Sequence, residues 1–594
     1  MNELAALNHY FYRYKGYLLL GFLFVILSNL FAVLPPQAIR YAFDLVRENI
    51  TYYQLLSGFS LQSHYYSAFS SAILLFGITV LTLALLRGVF MFLMRQTIIV
   101  TSRYIEYDLR NDIYDHYQRL SAAFYKRNRT GDLMARATED VNRVRMYLGP
   151  AIMYTVNMAA TMIITIIAML QVDVPMTIYV LIPLPILSIS IYFVNSIIHQ
   201  RSEQIQQEMS RLTSTAQEAF SGIRVVKAYV QEPATLGYFE ANAEQYKQKT
   251  LRMAQVQALF QPLMVLLVGL SVVLTIYIGG QKVIAGSITA GNIAEFIIYV
   301  TMLTWPVTSI GWVASLIQRA AASQKRINEF MQTPADITDS PQANALDLDG
   351  TVRFDDVSFT YPDTGIQALR NVSFGIQRGE RWAIVGRTGS GKSTIADLLV
   401  RKYDTTAGNI YFNGNTEIRG ISLAALRHQI GYVPQDVFLF SDTVNNNIAF
   451  GLPQATHEQV IIAAQQAAIY DDIMHLPDGF DTVVGERGVT LSGGQKQRVS
   501  IARALIKEPQ LLLLDDCLSA VDTATERQIL ATLDQYVQGK TAIIITHRVF
   551  SLLHFDQILV LDNGTVAEQG THDELLAQGG IYANLYELQA TQAL

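Results

Sequence analysis

Between Tyr17 and about Met331 the apolar residues of this chain gather in long blocks; after Gly350 they shorten to strand-like runs broken by glycines and charges. Six blocks are long enough to cross a bilayer, which takes roughly 20 residues each. They run from about Tyr17 to Ala38, Ser67 to Leu93, Leu148 to Leu170, Val174 to Ile198, Ala258 to Ile278 and Ile293 to Ile317. Two connections are short, QVDVP after Leu170 and GGQKVIAGSITAG after Ile278. Two others are long and polar yet keep helical periodicity, as in TSRYIEYDLRNDIYDHYQRL, so the spans should continue as helices for a further ~25 to 35 Å at 1.5 Å per residue. Each extension breaks at a short elbow, FYKRNRTGDL with Gly131 and AFSGIRVVKAY with Gly222. A helix pair joined by an elbow is either a lever that touches another domain or a solvated hairpin.

Charge orients this half. Arg103, Arg110, Arg119, Lys126, Arg127, Arg129, Arg136, Arg143 and Arg145 lie between the second and third spans, and Arg201, Arg211, Arg224, Lys227, Lys247, Lys249 and Arg252 between the fourth and fifth. With Arg13 and Lys15 they put both termini on the cytoplasmic side. The opening MNELAALNHYFYRYKG is aromatic and amphipathic, and reads as an interfacial helix on the membrane surface rather than a signal peptide. Asn29, Arg87, Asn157 and Glu295 are polar positions inside spans, where ionisable groups face a bundle interior or a water-filled cavity. Arg87 is the candidate contact for an anionic or amphipathic cargo; the alternative is a side chain that snorkels to the headgroups or pairs within the bundle. Pro35, Pro36, Pro183, Pro185 and Pro306 mark kinks.

Composition narrows the class. A hydrophobic fraction of 51% with 16% charged residues is rich for a soluble protein. A formal net charge of -6 gives no general basic field, so nucleic acid is not the expected partner. The single cysteine, Cys517, excludes an intrachain disulfide and a cysteine-based metal cluster.

Thr333 to Gly350 has the Pro, Asp and Ser content of a linker, dividing a membrane domain at 1–332 from a second domain at 351–594 through a linker at 333–350. Past it the strand RWAIVG leads into GRTGSGKST, where Gly386, Gly389, Gly391, Lys392 and Ser393 fit the phosphate-loop pattern GxxxxGK[ST] between a strand and a helix. The loop backbone through Gly386, Arg387, Thr388, Gly389, Ser390 and Gly391, and the helix start at Lys392, Ser393 and Thr394, would cradle phosphates. Lys392 would reach the outer ones and Ser393 would bind Mg²⁺. LLLLD is a buried parallel strand ending in Asp515, which can hold Mg²⁺ through water. LSGGQKQR opens a helix at Ser492, Gly493, Gly494 and Gln495, a second anion-binding feature. If the two features lie far apart, they must meet across two chains.

These motifs together resemble those of an ABC transporter half-molecule of the exporter type: six membrane helices fused to one α/β P-loop ABC ATPase domain. The resemblance covers nearly the whole chain. It rests on the phosphate loop, YVPQD with Gln435, VGERG with Glu486, LSGGQ, LLLLD, SAVD ending in Asp522, ITHR with His547, and Tyr361 in VSFTYP. TGDLMARATEDV and EAFSGIRVVKAY look like the family's two coupling loops. The resemblance implies ATP and Mg²⁺ as cofactors, Tyr361 stacking on adenine and His547 meeting the γ-phosphate. It also implies Gln435 sensing Mg²⁺ and the coupling loops, Asp522 near the nucleotide, Glu486 touching the membrane levers, and two ATP sites shared head to tail between two ATPase domains.

One position departs from the pattern. Asp516 stands where family members that hydrolyse ATP quickly carry glutamate. Because aspartate is one methylene shorter and a misplacement of ~1 Å costs on the order of 100-fold, slow hydrolysis is expected at this chain's own site. LSGGQ and His547 are intact. The combination resembles the degenerate-site subunit of a heterodimeric exporter, whose non-identical partner supplies the competent phosphate loop and glutamate. A slow homodimer, an ATP-gated channel or regulatory subunit, and an importer are the alternatives. The expected cargo is hydrophobic or amphipathic, such as drugs or lipids, and the expected location is a bacterial plasma membrane, crossed several times.

Overall fold

The computed structural model describes residues 2–592 apart from 60, 486, 487, 489, 518–528, 530, 534, 535, 537, 538 and 548–554. The chain forms two compact units, Met1–His116 with Gly131–Thr333, and Tyr117–Thr130 with Pro334–Leu594.

The first unit is helical. Six helices long and apolar enough to span a membrane follow one another: α1 (Lys15–Leu55), α2 (Leu61–Arg119), α3 (Thr130–Val172), α4 (Val174–Ser221), α5 (Glu232–Ile284) and α6 (Ala290–Met331). Each apolar block read from the sequence lies inside one of them. α2, α4 and α5 run past their apolar blocks by roughly 35 to 40 Å, at or beyond the upper end of the expected extension. Asp173 separates α3 from α4 and caps the latter, its carboxylate accepting the Met176 N–H at 2.7 Å. The expected loop after Ile278 starts later, since Gly279 and Gly280 stay helical in α5. A Cβ at Gly279 would lie 2.9 Å from Ile293 and 3.1 Å from Met176, so here the missing side chain allows helices to approach instead of ending one. α6 then begins at a capping box, Thr289 with Asn292. α3 contains two π-helical turns, Arg136–Asp140 and Tyr147–Ala151, the second holding Pro150, whose missing N–H interrupts the α-helical ladder.

The bundle core is lined by Met169, Met176, Val180, Leu187, Phe296, Tyr299 and Leu303. Within it the Glu295 carboxylate is fully buried and takes hydrogen bonds from Tyr299 at 2.9 Å, Asn292 at 3.2 Å and Arg40 at 3.2 Å. That network assigns Glu295 to structure, since a buried acid persists where it is paired and hydrogen-bonded. The most apolar window of α2, in contrast, buries none of its side chains among the described residues. Leu74, Leu75, Leu81 and Leu85 are all exposed, which suits a surface facing lipid or another subunit. The N-terminal segment is helical, as expected, over Asn8–Arg13. It is fixed to α2 by Tyr10 donating to Asp112, with Arg13 and Tyr14 on Asp108 at 2.9 and 3.0 Å.

The second unit carries two sheets. An antiparallel sheet has the order β2-β1-β4-β5, from β1 (Val352–Thr360), β2 (Gln367–Ile376), β4 (Ala407–Phe412) and β5 (Thr416–Glu417). A six-stranded sheet has the order β10-β9-β3-β8-β7-β6, from β3 (Arg381–Gly386), β6 (Ile430–Val433), β7 (Leu511–Asp515), β8 (Thr541–Ile545), β9 (Gln557–Asp562) and β10 (Thr565–Gly570). In the latter, β3, β6, β7, β8 and β9 pair in parallel and β10 is an antiparallel edge. β7 and β8 are buried at every position, the near-continuous Leu and Ile composition that strands covered on both faces require. From Pro334 on, the linker expected at 333–350 falls in this unit, and Tyr117–Thr130 joins it from between the second and third spans. There Ser121 donates to Asp336 at 3.1 Å, and Ala123 of the short helix Ala122–Arg127 enters the sheet core.

Candidate nucleotide site

β3, β8 and β7 lie side by side, and parallel strands deliver ligand-binding groups at their C-terminal ends. β3 runs into the phosphate loop and then α7 (Lys392–Leu399). The loop turns sharply because Gly391 adopts φ +98°, where a Cβ would also sit 2.4 Å from the Ala368 carbonyl oxygen. Lys392 is buried, its Nζ donating to the carbonyl oxygens of Gly386 at 2.9 Å and Arg387 at 2.8 Å. Burial lowers its ammonium pKa, against the pull of Asp516 and Asp515. The Ser390 hydroxyl is buried with no hydrogen-bond partner among the described residues.

β7 ends at Asp515, 3% exposed, whose Oδ1 accepts the Ser393 hydroxyl at 3.1 Å. Burial pushes its carboxyl up to about 6. A hydroxyl touching a carboxylate that pays a burial cost, with the Gln435 amide on the same cavity, is a hard-oxygen donor set of the kind that suits Mg²⁺. Asp516 follows at φ +45°, a left-handed conformation in which aspartate is several-fold enriched. Its N–H donates to Ile545 O at 2.8 Å, and its carboxylate accepts from Gln435 Nε2 at 3.4 Å. His547, two residues past β8, has its imidazole pKa lowered, first by burial and then by Lys392.

A cavity of about 420 Å³ joins these groups. Tyr361, Thr388, Gly389, Gly391, Lys392, Ser393, Thr394, Gln435, Asp515, Asp516 and His547 line it; Gly386, Arg387 and Ser390 form the loop behind. Tyr361 stands edge-on to Phe359 and Tyr403, and its hydroxyl is 3.0 Å from Thr394 Oγ1. The second anion feature is elsewhere. Ser492, Gly493, Gly494 and Gln495 open α8 (Gly493–Leu505) through a capping box, with Gln495 also donating to Asp472 at 3.0 Å. None of the four lines the cavity. Asp522 and Glu486 lie outside the described residues.

Residues 18–307 match the ABC transporter transmembrane region and residues 369–519 the ABC transporter domain. The chain is 41% identical over 482 residues to YheI of Bacillus subtilis (strain 168), described as a probable multidrug resistance ABC transporter ATP-binding/permease protein, covering 81% of this chain and 82% of that one. The chain belongs to the ABC transporter family, as an exporter half-transporter. This exporter is also 36% identical to the multidrug resistance-like ATP-binding protein MdlA of Escherichia coli (strain K12), over 100% of its own length and 98% of the relative's. A solved bacterial Atm1-family ABC exporter with ATP bound superposes with a TM-score of 0.75 at 29% identity, covering 97% of this chain and 98% of that one. The exporter is thus an ATP-hydrolysing, multi-pass membrane transporter.

Two parts of the exporter's site carry no signature in the sequence. The cavity floor at Ile366, Gln367, Ala368, Asn563 and Gly564 comes from β2 and the β9–β10 turn. Lys126 holds its Nζ over the rings of Tyr361 at 4.9 Å and Tyr403 at 5.4 Å. The sequence shows Lys126 only as one charge in a basic stretch; its aromatic partners are more than 200 residues away. It lies in Tyr117–Thr130, the stretch grouped with the ATPase unit, which ends at the first residue of TGDLMARATEDV; Gly131 onward belongs to the helical unit.

Proposed function

We propose that this half-transporter exports hydrophobic or amphipathic compounds beside a non-identical half, and that the ATP site built on its own phosphate loop hydrolyses slowly. The observation that carries the reading is Asp516: the acid following the strand that delivers Asp515 is a short one, in a site otherwise equipped. Its carboxylate must reach the attacking water from one methylene further back than glutamate would, which is worth on the order of 100-fold in rate. Ser393 and Asp515 would hold Mg²⁺, which when bound neutralises phosphate charge. Lys392 would exchange the carbonyl oxygens of Gly386 and Arg387 for outer phosphate oxygens. His547, whose imidazole pKa burial and Lys392 lower, would donate to the γ-phosphate. Tyr361 would stack on adenine.

That Ser492 to Gln495 do not line the cavity supports their serving the nucleotide on the partner's phosphate loop. The basic elbows support cytoplasmic termini, and the bacterial relatives support a bacterial plasma membrane.

A pair of substitutions tests the reading in the reconstituted complex with ATP-driven uptake into inverted vesicles. Ser492→Arg in this chain should reduce turnover by at least ~10-fold by spoiling the competent site, while Lys392→Ala leaves most of it. In a homodimer both substitutions strike both sites, and equal losses would sink the proposal. ATP-dependent ionic current without cargo accumulation would replace export by channel gating.

A further inference from the structure

The six apolar blocks hold one arginine and one carboxylate, Arg87 and Glu295. Glu295 is taken, by Arg40, Asn292 and Tyr299, so no acid inside the spans remains to neutralise Arg87. Arg87 lines a cavity of about 340 Å³ within the helical unit, with Arg95 two turns further along α2. Among the described residues neither guanidinium has an ion pair or a hydrogen bond, and no Asp or Glu lines the cavity. Eight positions on one helix set the two cations ~12 Å apart along its axis.

The rest of the wall divides into polar and apolar parts. Asn29 is buried, donates to Val25 O and Asn157 Oδ1 at 2.9 Å each, and accepts from Thr161 at 2.5 Å. That arrangement uses the oxygen of the Asn157 amide and leaves its N–H groups undonated among the described residues. Met91, Met94, Met153, Met302 and Trp305 supply the apolar side, and methionine adapts to irregular guests. Free donors on one side and a soft apolar wall on the other match a molecule with an anionic head and a greasy body. An arginine held in a membrane without a counter-charge is costly by several kcal/mol, and a carboxylate or phosphate answers its planar fork with two parallel hydrogen bonds.

We propose that the Arg87–Arg95 cavity binds anionic amphiphiles, a carboxylate or phosphate head joined to an apolar body, as the exporter's cargo. The inference rests on the export reading for its account of why a membrane cavity receives a guest, and its site can be tested separately by binding.

The full-length transporter in phosphatidylcholine nanodiscs would be titrated with NBD-labelled dodecanoate, its methyl ester and NBD-dodecylamine. The carboxylate should bind ~10-fold or more tighter than the ester, and the amine most weakly. Arg87→Gln with Arg95→Gln should bring the carboxylate down to the ester's affinity while the ester, which needs no cation, binds as before and certifies the fold. Arg87→Lys with Arg95→Lys should retain part of the preference. Equal binding of the three probes, or a preference that survives the double glutamine variant, would overturn the inference and leave Arg87 as a snorkelling cation. A second arm sets NBD-phosphatidylglycerol against NBD-phosphatidylcholine. An arginine-dependent preference there supports an anionic lipid as the guest, and one confined to dodecanoate supports a non-lipid amphiphile. If binding shows the preference but ATP drives accumulation of no probe, the export reading falls and the anion site stands.

Discussion

Asp516 combines two constraints that the neighbouring Asp515 does not share. It sits at φ +45° and presents its carboxylate to Gln435, so its backbone favours a short polar residue while its expected task favours a longer one. Asp516→Glu should raise the ATPase rate at this site by roughly 10- to 100-fold, with ATP affinity unchanged in a nucleotide-binding titration. Gly391→Ala acts oppositely, because the left-handed φ and the Ala368 carbonyl 2.4 Å from the new Cβ distort the loop. It should abolish nucleotide binding, read by the same titration, and lower the unfolding temperature. Lys392, Gln435, Asp515 and His547 line one cavity; the phosphate loop and Asp515 were legible from local strand, loop and helix patterns, and Gln435 and His547 only through the family resemblance. The floor at Ala368 and Gly564 was not, since backbone shape leaves no residue signature, and Lys126 was not, since only folding brings it to Tyr361.

At the scale of elements, the apolar blocks located every membrane helix but not its ends. Where α2, α4 and α5 leave the apolar stretch, their helical pattern is carried by mixed polar residues and gives no length. Gly279 and Gly280 read as a loop start for the same reason: a glycine pair signals a turn or a close helix approach, and only the contact with Ile293 decides. Gly279→Leu should therefore force α5 from α6 and lower the unfolding temperature in detergent, whereas the same change at Gly280, which meets nothing within 4 Å, should leave it nearly unchanged. Glu295→Ala should be more damaging. It strands the Arg40 guanidinium, and breaking a buried pair costs about 3 to 5 kcal/mol; the Tyr299 hydroxyl keeps the Val33 carbonyl oxygen at 3.3 Å. Arg40→Met with Glu295→Met should recover much of that loss.

For the whole molecule, one chain holds a phosphate loop and a signature helix start that do not share a cavity, together with a membrane helix whose most apolar window buries no side chain among the described residues. Both features describe a half that is completed by another. The identity of that other half turns on Asp516, and the most direct measurement is the ATPase activity of the purified chain alone and with its native partner co-purified. The chain alone should turn over slowly and without cargo stimulation, and adding the partner should give fast, cargo-stimulated turnover. A dimer of this chain alone with full cargo-stimulated ATPase activity would contradict it.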